Sequence, residues 1–84
     1  MLSPEERIRK ARKLIEEART IPRPDSVGWE AFSYNAQVKD TLKKAFELIK
    51  LIQHSPSASP EIKAEAKELM ESLPLIEKEI LKPS

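Results

Sequence analysis

The sequence predicts an all-α fold, a three-helix up-down-up bundle with a long central helix, and three observations lead there. Two Ser-Pro-Glu triplets, Ser3-Pro4-Glu5 and Ser59-Pro60-Glu61, have the composition of helix starts. Apolar residues recur at spacings of three and four along most of the chain. Glycine occurs once, and the seven prolines sit mostly between the periodic stretches, where helices begin or end. A chain of 84 residues can bury one core and not two, so residues 1–84 are read as a single domain.

The first helix is predicted over residues 4–20. The Ser3 hydroxyl is placed to accept from orphan N–H groups, Pro4 brings a preset φ, and Glu5 and Glu6 face the positive helix end. Ile8, Ala11, Leu14, Ile15 and Ala18 form its apolar stripe, and Pro22 and Pro24 stop it. A second helix, capped by Asp25 or Ser26, is predicted over residues 26–54, because neither glycine nor proline interrupts the run from Trp29 to His54. Its seam reads Ala31, Asn35, Val38, Leu42, Ala45, Ile49 and Ile52, flanked by Phe32, Tyr34, Phe46 and Leu48, a width that suits packing against two neighbours. The third helix, over residues 60–82, carries Ile62, Ala66, Leu69, Leu73, Ile76 and Ile80 in one register straight across Pro74. That continuity predicts one helix kinked at Pro74 rather than two, although an unadapted helix loses about 3 kcal/mol to an internal proline. A break near Ser72 is the alternative.

Charge and composition narrow the function. A formal net charge of +1 is too small to gather phosphates over a broad surface, so nucleic acid is not an expected partner. No apolar run approaches the length needed to cross a bilayer, and charge from Glu5 onward leaves no room for a signal-peptide core, so no membrane partner and no targeting signal are expected. Residues 1–24 hold seven basic and four acidic side chains, whereas residues 55–84 hold four and six, which suits a first and third helix lying side by side. With no cysteine, a single histidine at His54, and acidic residues distributed among outward lysines, no nucleophile, acid–base pair, metal site or cofactor site is recognisable. His54 reads as a helix-end residue.

Three features stand out as candidate sites. Asn35 occupies a seam position where an apolar residue is expected, which suits a polar core residue fixing register. Trp29, Phe32 and Tyr34 gather most of the aromatic side chains in one stretch, as core or as anchors for a partner. The third follows from length: at 1.5 Å per residue the predicted helices span about 25, 43 and 34 Å, so the first covers only the N-terminal part of the second. Phe46, Leu48, Leu51 and Ile52, near Ile49, are then left as a surface for a partner helix or for a second copy in a homodimer.

The paired Ser-Pro-Glu starts, the Glu/Lys/Arg/Ala faces and the regular seams of the first and third helices resemble computationally designed helical bundles. The second helix is less idealised, with Gly28, Trp29, Tyr34 and Asn35 where propensity favours none of them. Within residues 29–52, Trp29, Phe32, Ser33, Leu42, Ala45 and Ile49 also resemble the large and small positions of a tetratricopeptide repeat. That resemblance implies peptide binding in a helical groove, with a helix break at Asp40 where the repeat has glycine. The expectation is a non-catalytic helical bundle, an engineered scaffold or a protein-binding module that uses a helical face. A designed small-molecule or catalytic scaffold with a pocket near Asn35, Tyr34 and Trp29 is one alternative. A natural adaptor-type peptide binder is another.

Overall fold

The computed structural model describes residues 2–25 and 28–82. Helix α1 runs over Pro4–Thr20, α2 over Trp29–Ile49 and α3 over Pro60–Ile80, with a short 3₁₀ turn at Ile52–His54 between the last two. No strand occurs among the described residues. Cross-helix pairs give the directions. The Arg7 guanidinium donates to the Leu48 carbonyl (3.3 Å), so the start of α1 meets the end of α2. Arg12 pairs with Glu65 at 2.8 Å and Arg19 with Glu79 at 3.7 Å, so α1 and α3 run parallel, joined by the unequal charge that the sequence assigns them.

One apolar cluster holds the three helices together. Ile8, Ala11, Ile15 and Ala18 of α1 face Val38, Leu42, Ala45 and Ile49 of α2, with Ala66, Leu69 and Leu73 of α3 closing the third side. The fully buried alanines at 11, 18, 45 and 66 keep the seams narrow, and branched residues such as Ile49 fill the space between. Burying one such isoleucine contributes about 1.5–3 kcal/mol.

The two Ser-Pro-Glu starts behave as their chemistry dictates. Ser3 Oγ accepts from the Glu6 N–H and Ser59 Oγ from the Ile62 N–H, each at 3.2 Å, with proline at the first helical position. Helix α2 starts differently. Asp25 is not its cap, and Ser26 lies outside the described residues; Gly28 stands at the boundary with no side-chain cap. Its φ of +102° is a conformation that side-chain-bearing residues rarely adopt, which is why the sole glycine is there.

The end of α2 also corrects the predicted boundary. An α-helix reaching His54 would close with the Ser55 N–H donating to the Leu51 carbonyl, but that carbonyl takes the His54 N–H (3.1 Å). The Ile52 carbonyl in turn accepts from the Ser55 N–H (3.0 Å), and Ser55, preceding proline, is extended. The Gln53 side chain then donates to the Lys63 carbonyl (2.6 Å), fastening the turn to α3. Helix α2 is unbroken at Asp40, contrary to the break a tetratricopeptide repeat requires. Helix α3 is likewise continuous through Pro74, as its register predicts; the structure establishes that continuity and not a kink. Because Pro74 lacks an N–H, the Met70 carbonyl has no α-helical donor.

Candidate interaction surface

The described residues contain no buried polar or charged side chain, no buried side-chain nitrogen or oxygen without a partner, and no group of His, Asp or Glu able to hold a metal ion.

The surface predicted at the end of α2 divides. Ile52 is 1% exposed and belongs to the core, because the 3₁₀ turn swings it inward beneath Ala58 and the start of α3; it is no partner residue. Leu48 is half-buried against the core. Phe46 (40% exposed) and Leu51 (57%) remain at the surface. The excess length that suggested a bare C-terminal end disappears once α2 stops at Ile49, since the turn and the loop before α3 cover that end themselves.

Bare apolar surface lies at the opposite end. Trp29 is 79% exposed and Phe32 64%, and their rings stack with centroids 5.7 Å apart and planes 23° from parallel. The spacing of three on a helix brings the two rings onto one face, and the stack presents both to solvent as a unit. Tyr34 turns inward from the same turns and packs half-buried on the core. Asn35 does not enter the core: it is exposed, and the buried part of the α2 seam begins only at Val38. An amide without core partners loses less by staying in water. Trp29 borders a shallow cleft with Pro22, Pro24, Ser33, Tyr34 and Gln37, and Asn35 does not line it.

A second feature lies farther along the same helix. Between α2 and α3 runs an open groove of about 260 Å³, floored by Leu42, Phe46, Met70, Leu73 and Pro74. Lys39 and Lys43 rise along its α2 wall and Glu77 along its α3 wall. Sequence reasoning passed over this groove. Leu42 and Leu73 belong to the buried core, and the relative placement of α2 and α3 leaves Phe46, Pro74 and part of Met70 accessible above them.

No helix among the described residues is long and apolar enough to cross a membrane. The chain matches no protein-family model, no curated protein and no solved structure, so its architecture, a three-helix bundle with an exposed aromatic pair on its central helix, is what characterises it.

Proposed function

We propose that this protein is a non-catalytic helical bundle that binds another protein through the outer face of α2. The observation that carries this reading is the solvent-exposed stack of Trp29 and Phe32. Aromatic side chains bury large areas at little cost in side-chain entropy and dominate the binding energy of interfaces, and two of them held together in water form a ready anchor. Helices α1 and α3, with their serine caps and regular seams, serve as scaffold, and α2 carries the recognition. The lack of a buried polar constellation near Asn35 gives the small-molecule or catalytic alternative no support of the same kind.

The test is to pan a displayed peptide library on the wild-type protein and on a Trp29→Ser/Phe32→Ser variant shown by circular dichroism to keep its helices. Peptides that enrich on the wild type and lose binding to the variant are the expected outcome. Enriched peptides that bind both proteins equally would contradict the proposal. Light scattering over a dilution series decides whether the same face joins two copies: a dimer abolished by the double substitution would make the partner a second molecule of this chain.

A further inference from the structure

We infer that the groove between α2 and α3 receives an acidic amphipathic helix, a refinement that rests on the protein-binding reading above. Three observations converge on this occupant. The floor is apolar, with Phe46, Met70 and Pro74 open to solvent over the buried Leu42 and Leu73, and a helix presenting aliphatic side chains on one stripe can pack against them there. The α2 wall carries Lys39 and Lys43, one turn apart on the same face, and neither has an ion-pair partner among the described residues. Their neighbours differ: Lys44 pairs with Asp40 and Lys50 with Glu47 along the same helix. Like charges at i and i+4 repel, so this is the segment of α2 whose charge an incoming carboxylate relieves.

Charge also decides against a second copy as the occupant. A two-fold contact centred on the α2 wall of the groove sets Lys39 and Lys43 of one molecule against the same lysines of the other. An acidic helix meets no such conflict. Glu77 is the single acidic residue in the lining and lies on the α3 wall, so the carboxylates of the partner align along α2.

The probes are two short fluorescein-labelled amphipathic helical peptides with the same leucine stripe, one with glutamate flanks and one with lysine flanks, titrated by fluorescence anisotropy. The glutamate peptide is expected to bind at least about tenfold more tightly, a ratio that two partly screened charge pairs suffice to produce. A Lys39→Glu/Lys43→Glu variant should reverse that preference while Phe46→Ser weakens both peptides, with helicity checked for each variant. Equal affinity for the two peptides, or a preference that survives the charge reversal, would overturn the acidic specificity yet leave the Trp29–Phe32 face standing. Binding of neither peptide would overturn the groove as a docking site, whereas loss of binding in the Trp29→Ser/Phe32→Ser variant alone would transfer recognition to the aromatic face.

Discussion

The two halves of α2 carry similar numbers of apolar residues and treat them in opposite ways. From Val38 onward, Val38, Leu42, Ala45 and Ile49 are buried between α1 and α3, and the turn after Ile49 adds Ile52 to the same core. Before Val38 no residue of the helix is fully buried, and the largest side chains, Trp29 and Phe32, face water. Hydrophobicity alone therefore does not place a residue in this core. Coverage by neighbouring elements does, and coverage follows from where the chain turns. Residues that hold the fold lie in the second half of α2, and residues available for recognition lie in the first half or along the groove.

Substitutions can break this contrast. The largest expected effect is at Ile49, where truncation to alanine leaves a cavity among well-packed neighbours and should cost about 2–5 kcal/mol in urea denaturation. A loss well under about 1 kcal/mol would mean that the C-terminal half is loosely packed after all. Pro74→Ala should act in the other direction. It restores an N–H to the Met70 carbonyl at an exposed helical position, and thermal melting should show a gain of about 1–3 kcal/mol. Destabilisation there would show that the proline ring is packed into the fold rather than lining an open groove.

Smaller effects sharpen the difference between helix starts. Ser59→Ala removes the acceptor of the Ile62 N–H and should cost about 1 kcal/mol. Helix α2 has no such cap to lose, and Gly28→Ala should cost a comparable amount for another reason, since the φ of +102° strains any residue with a Cβ. The smallest change is expected at the exposed face, where Trp29→Ala or Phe32→Ala should stay within about 0.5 kcal/mol of the wild type. A loss comparable to that of Ile49→Ala would place these rings in the core and remove the ground for treating them as anchors.

Much of the architecture was legible in the sequence. The serine caps, the α1 and α3 stripes and the unbroken register across Pro74 are local signals whose chemistry acts within one or two turns, and the charge difference between α1 and α3 reappears as the Arg12–Glu65 and Arg19–Glu79 pairs. The end of α2 was less legible: Pro56 keeps Ser55 extended, but apolar periodicity continues through Ile52 and carries the predicted boundary past Ile49, where the helix stops. The site was less legible, because Asn35 and Ile52 satisfy one seam pattern while only Ile52 is buried, and of the flanking aromatics Phe32 is exposed where Tyr34 is half-buried. A helix seam states which face can be covered, and the turns at either end determine how much of it is.

The most direct test of this account uses the single tryptophan. Steady-state emission and acrylamide quenching of Trp29 should be those of a largely exposed indole in the folded protein, and unfolding should change them little. Blue-shifted emission with weak quenching in a dilute, folded monomer would put Trp29 inside the protein and contradict the unequal halves of α2 on which the proposed binding face rests.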